Sequence, residues 1–127
     1  MYELKIETHF DAAHSLTGYP GECARLHGHS FKVDVVIEGE RLDKVGLVYD
    51  FKELKAKART LVDRFDHHHL NEVPPFDKIT PTAENLAKYL YHELQKALSK
   101  ANLESGIDVK KVSIWESSTA CISYFKE

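Results

Sequence analysis

His27-Gly28-His29 sets two imidazoles two residues apart in a stretch that alternates like a β-strand. Strand geometry then puts both on one face, about 7 Å apart at the backbone, close enough for the rings to converge on one ion. The spacing suits zinc. A lone His-x-His is more often a pair of hydrogen-bonded histidines, but a third histidine, His14, lies at the end of a neighbouring strand on the matching face. Three nitrogen ligands leave the fourth zinc position open for water or substrate oxygen, as in a catalytic site.

Cys23 stands four residues before His27, in a Gly/Glu-containing turn near Arg25. An electropositive setting of that kind lowers a thiol's pKa, and the resulting thiolate can abstract a proton. The same residue can instead close the metal site as a fourth ligand, and spacing alone allows either reading. Glu22 sits beside it.

Asp66-His67 is a carboxylate next in sequence to an imidazole, a pairing that can orient or charge-stabilise a proton-exchanging histidine. The following His68 and His69 read as a solvated loop. Glu116 shares its parity with Val112 and Ile114 at the end of an apolar run. Its carboxylate can accept two hydrogen bonds from a planar N–C–N donor edge, although an exposed strand-end glutamate fits the pattern equally well. Cys121, between Ala120 and Ile122, reads as a packing residue.

The elements that must position these residues follow from periodicity. From Tyr2 to Phe10 apolar and polar residues alternate, the pattern of a half-buried strand, and that register carries His14 to the apolar side. A second alternating run bears Phe31, Val33, Val35 and Ile37 on the parity of His27 and His29. Asp50 with Glu53 forms a capping box for a helix of about four turns with Phe51, Leu54, Ala58, Leu61, Val62 and Phe65 on one stripe. Residues 71–79, containing Pro74-Pro75, form a loop; Thr80 then caps a second helix with Pro81 at its first position. Gly106 ends the helical region, and strands from Val109 to Glu116 and Ala120 to Phe125 flank a turn at Ser117-Ser118-Thr119. Strand, strand, helix, helix, strand, strand makes an α+β domain: a four-stranded antiparallel sheet with two helices on one face. Its open edges invite edge-to-edge oligomerisation into a ring.

At 127 residues a single domain spanning 1–127 is expected. The formal charge of −3 with interspersed signs gives no basic field to gather nucleic acid. The charged, alternating N-terminus lacks the features of a signal peptide and no apolar run reaches membrane-spanning length, so a cytoplasmic protein with no membrane partner is expected. No Gly-rich dinucleotide fingerprint is present.

Five motifs, Phe10-Asp11-Ala12-Ala13-His14, Cys23-Ala24-Arg25-Leu26-His27-Gly28-His29, Asp66-His67-His68-His69-Leu70-Asn71, Pro81-Thr82-Ala83-Glu84-Asn85 and Trp115-Glu116, together resemble the 6-pyruvoyltetrahydropterin synthase family. The short spacing between Cys23 and His27 is most similar to the 6-carboxytetrahydropterin-forming branch that feeds queuosine and other deazaguanine pathways. The resemblance implies the tunnelling fold, in which ββααββ subunits join edges into an oligomeric barrel, commonly a homohexamer of two trimers with active sites between subunits. It also implies Zn2+ on His14, His27 and His29, Cys23 as proton acceptor, Asp66 and His67 as its relay, and Glu116 as the anchor of the pterin ring.

The implied reaction is a lyase reaction converting 7,8-dihydroneopterin triphosphate to 6-carboxy-5,6,7,8-tetrahydropterin, with release of acetaldehyde and triphosphate. Proton relocation reduces the ring while oxidising the side chain, so no nicotinamide or flavin is required. Elimination of triphosphate without carbon–carbon cleavage is the alternative within the family. Outside it, the alternative is a non-catalytic zinc-stabilised binding module with Cys23 as fourth ligand.

Overall fold

The structure is a computed structural model, and it describes residues 1–127 except Tyr19, Pro20, Glu22, Cys23, residues 102–105 and Glu127. Strands β1 (Tyr2–His14) and β2 (His27–Gly39) pair antiparallel along their whole length, with His14 opposite His27 and Ala12 opposite His29. Helix α1 (Phe51–Val62) follows, then a two-residue strand β3 (His68–His69) and a 3-10 turn at Leu70–Glu72. Helix α2 (Ala83–Ala101), β4 (Asp108–Ser117) and β5 (Ala120–Phe125) complete the chain. The sheet order is β3-β1-β2-β4-β5.

The period-2 pattern decides which face is covered. Ile6, Phe10, Ala12 and His14 of β1 are buried, and Phe31, Val33, Val35 and Ile37 of β2 continue that layer. Leu54, Ala58 and Val62 of α1 and Leu86, Leu90, Leu94 and Leu98 of α2 pack against it. The stacked rings of Phe10 and Phe31, 4.9 Å between centroids, form the part of the core directly beneath the histidines.

The α+β architecture expected from the sequence is present, with several corrections. The sheet has five strands, because the His triplet is not simply a loop. The backbone of His68 and His69 pairs parallel with Ala12 and Ala13, covering one end of the β1 edge. Helix α1 is shorter than expected, and Phe65 enters the core from the turn after it, while Phe51 is 53% exposed. Asp50 does cap α1, accepting from the Lys52 N–H at 2.8 Å. Helix α2 is capped by Thr82 rather than Thr80: its Oγ1 accepts from the Asn85 N–H at 3.1 Å and its carbonyl from the Leu86 N–H at 2.9 Å. Cys121 is exposed on β5 rather than packed in the core. Cys23 and Glu22 lie outside the described residues. Among the described residues no helix is long and apolar enough to cross a membrane.

Candidate active site

Direct pairing of His14 with His27 and the two-residue step to His29 bring three imidazoles onto the helix-covered face at the end of the β1–β2 ladder. Their ring centroids are 4.6, 4.8 and 5.0 Å apart, and the planes lie at 66–89° to one another. Ala12, opposite His29, leaves room on this face for the ring to lean toward its neighbours. Phe31 closes the floor, within 5.7 Å of His14 and 5.2 Å of His29.

The hydrogen bonds fix which nitrogen His14 and His27 present. His14 Nδ1 bonds the Pro81 carbonyl at 2.8 Å, and His27 Nδ1 bonds the Arg25 carbonyl at 2.7 Å. A carbonyl only accepts, so each Nδ1 carries the proton and each Nε2 of the neutral rings bears a lone pair. Those two Nε2 atoms face each other at 3.0 Å, and the buried Nε2 of His29 has no hydrogen-bond partner among the described residues. Burial pushes the His14 pKa down, which keeps its ring neutral. One ligand atom from each of the three residues lies within 4.8 Å of the others. Converging lone pairs without protons between them are repulsive to one another and favourable to a cation, so the donor set fits a metal ion.

Glu116 reaches the same place from β4. The register of β4 and β5 shifts between Trp115 and Ser117, a bulge of the kind that re-aims a side chain, and Glu116 Oε2 lies 3.9 Å from His29 Nε2. Next to it is a cavity of about 140 Å³ with Ile114 and Ile122 among its apolar walls. Glu84, from the first turn of α2, lines this cavity together with Glu116 and Cys121. Sequence reasoning gave Glu84 no role, because a glutamate in a first helical turn is already accounted for by the helix dipole.

Asp66 and His67 are not brought to the histidine cluster within this chain. Asp66 Oδ1 accepts from the Asp11 N–H at 2.9 Å, and the His67 N–H donates to the Asp11 carbonyl at 2.6 Å, so both are pinned to the β1 edge. Asp11 lies three residues before His14 with opposite parity, which is roughly 10 Å along the strand and on the other face. Arg59 Nη2 donates to Asp66 Oδ2 at 3.1 Å, and His67 Nδ1 sits 3.1 Å from Asp66 Oδ1. The Asp11 N–H, followed by the charges of His67 and Arg59, holds the Asp66 carboxyl below its usual range. His67 adopts φ 60, and its side chain is 77% exposed. A non-glycine residue held in the left-handed region is strained, and such positions cluster where function requires them.

Comparison with known proteins places the chain in a family. A model of the family "6-pyruvoyl tetrahydropterin synthase" matches residues 3–127. A 6-carboxy-5,6,7,8-tetrahydropterin synthase of Synechocystis is 34% identical over 98% of this chain and 94% of its own. A dihydroneopterin monophosphate aldolase of Pyrococcus furiosus is 37% identical over 84% and 82%. The solved structure of Caenorhabditis elegans 6-pyruvoyl tetrahydropterin synthase superposes with a TM-score of 0.85 at 27% identity, covering 99% of this chain and 96% of that one. With the family model matched over residues 3–127 and the fold superposing over nearly the whole length, the chain is an enzyme belonging to the 6-pyruvoyl tetrahydropterin synthase family.

Proposed function

We propose that the protein is a zinc-dependent synthase that converts 7,8-dihydroneopterin triphosphate to 6-carboxy-5,6,7,8-tetrahydropterin, with release of acetaldehyde and triphosphate. The observation that carries this reading is the convergence of His14, His27 and His29 on one point, with Glu116 3.9 Å from His29. When bound there, zinc supplies Lewis-acid polarisation of the substrate's side-chain oxygens, which acidifies the adjacent C–H bonds.

The residues of the chain supply the rest. His14, His27 and His29 are the metal ligands, oriented by the Pro81 and Arg25 carbonyls. Glu116 accepts the N–C–N edge of the pterin as a paired hydrogen bond, with Glu84 as a second carboxylate on the same cavity. Ile114 and Ile122 offer apolar surface to the ring face. Cys23, four residues before His27, is the base that moves a proton between side chain and ring. Asp66 and His67, pinned to the far side of β1, serve a site completed by another copy, and the uncovered edges of β1 and β5 are where copies join. A homohexamer of two trimers working in the cytoplasm on a queuosine-type pathway fits this arrangement.

One specific observation favours a second reading: the Pyrococcus furiosus relative, at 37% identity, is named for aldolase action on dihydroneopterin monophosphate. Both readings are tested by incubating the zinc-loaded protein with 7,8-dihydroneopterin triphosphate and, separately, with the monophosphate. Pterin products are identified by mass spectrometry and acetaldehyde is assayed in parallel. A 6-carboxy product with acetaldehyde from the triphosphate is expected. A pyruvoyl product without acetaldehyde moves the chain to the elimination reaction, turnover of the monophosphate alone moves it to the aldolase, and no turnover of either leaves the zinc-stabilised binding module.

A further inference from the structure

Helix α2 begins at Ala83, two residues after Pro81, the first position its sequence suits, and the delay leaves one carbonyl free. Pro81 suits the first position of a helix, with its fixed φ and missing N–H. Had α2 run back to Pro81, the Asn85 N–H would donate to the Pro81 carbonyl in the ordinary i to i+4 bond. It donates instead to Thr82 Oγ1 at 3.1 Å. The Pro81 carbonyl is thereby released from the helix and accepts His14 Nδ1 at 2.8 Å, in a buried bond.

Two further bonds hold this register. Asn85 Nδ2 donates to the Thr80 carbonyl at 2.8 Å, and the Thr82 N–H donates to the same carbonyl at 2.8 Å. Asn85 therefore grips the residues on both sides of Pro81, Thr82 through its backbone amide and Thr80 through its side chain. Pro81 itself is buried and Thr82 partly so, which leaves little space for the turn to relax.

We infer that the Thr82–Asn85 clamp is a positioning device for the metal site: by substituting the Thr82 hydroxyl for the Pro81 carbonyl as acceptor, it dedicates that carbonyl to His14. The carbonyl fixes the Nδ1–H tautomer and ring angle of His14, and so aims Nε2 at the point shared with His27 and His29. Neither Thr82 nor Asn85 touches the metal; both act through Pro81 and His14. This inference rests on the reading of the three histidines as metal ligands.

The test is zinc affinity of the full chain, measured by competition with a chromophoric chelator. Thr82→Val keeps the shape of the side chain and removes the acceptor, so the helix can extend and recapture the Pro81 carbonyl. Loss of an outer partner of this kind weakens metal binding roughly 10–100-fold, and that loss is expected for T82V. Thr82→Ser, which keeps the hydroxyl, is expected to bind within about threefold of the wild type, on the same scale. Asp50→Ala is the control, since it removes the cap of α1 and has no route to His14. The zinc-loaded wild type should also show a slowly exchanging His14 Nδ1 proton by NMR, lost in T82V and restored in T82S. If T82V does not fold, Asn85→Ala carries the same test, because it keeps the amide and the cap and loses only the Thr80 anchor; weaker zinc binding than in D50A is expected. Equal zinc affinity in T82V (or N85A) and D50A would overturn the inference while leaving the metal site in place. A wild-type chain that takes up no zinc would overturn the metal reading itself, and this inference with it.

Discussion

His14 Nε2 stands 3.0 Å from His27 Nε2, across a direct register pair of β1 and β2, and neither nitrogen has a proton to offer when the rings are neutral. Each ring has committed its Nδ1 proton to a backbone carbonyl. The strand register and the two carbonyls thus turn two lone pairs toward one point, an arrangement that suits a cation.

Removing a ligand should cost more than removing an outer partner. His14→Ala is expected to weaken zinc binding by well over the roughly 10–100-fold typical of outer-partner loss. Metal content after dialysis against a chelator measures it, and full occupancy in H14A would contradict the assignment.

Cys23→Ala separates base from ligand. As a base, Cys23 leaves metal content and melting temperature unchanged when replaced, while turnover falls by roughly 10²–10⁴-fold, the usual contribution of a positioned acid–base group. As a fourth ligand, it takes the zinc with it. Parallel metal analysis and product assay distinguish the two outcomes.

Glu116 and Glu84 share one cavity but are expected to differ in effect. Glu116→Gln removes a charge-assisted pair worth about 1.5–3 kcal/mol, so kcat/KM should fall roughly 10–150-fold. Glu84→Gln should cost less, because Glu84 is exposed on the first turn of α2, whereas Glu116 Oε2 lies 3.9 Å from His29 Nε2. Steady-state kinetics on the two variants checks the order.

Asp66 gives a pH signature. Its folded pKa lies below its ordinary value of 3.8, so its stabilising contribution is present above that value and is lost as pH falls through the lower folded pKa. Asp66→Asn should therefore narrow the difference from wild type in acid: the two urea midpoints are expected to differ more at pH 6 than at pH 2.5. A constant difference would show that Asp66 contributes through packing alone.

Phe31 is fully buried and supports both the core and the histidines. Phe31→Ala is expected to cost about 3–5 kcal/mol in denaturant unfolding and to loosen zinc binding as well.

Much of this was legible from residue order. Alternation from Tyr2 to Phe10 and over Phe31 to Ile37 assigned the strands, and His14 on the apolar side of the first with His27 and His29 on the apolar parity of the second put them on one face, because strand side chains repeat every second residue whatever the rest of the chain does. The motif match identified the family for the same reason: the motifs are local and their order is preserved. The start of α2 was not legible, since Thr80-Pro81 and Thr82 both offer plausible caps and only the buried partner of the Pro81 carbonyl, His14, distinguishes them.

The sequence by itself determined the faces of the strands that carry His14, His27 and His29 and the order of elements, since each depends on spacing within a few residues. Tertiary structure alone decided what depends on distant segments meeting. It paired His68 and His69 with β1, aimed Glu116 at His29 through a bulge, set Glu84 beside Glu116, and separated Asp66 and His67 from the histidine cluster. Those relations rest on backbone donors and acceptors more than fifty residues apart finding partners, as the Asp11 N–H finds Asp66 and His14 finds Pro81, and no local pattern encodes which partner a carbonyl will take.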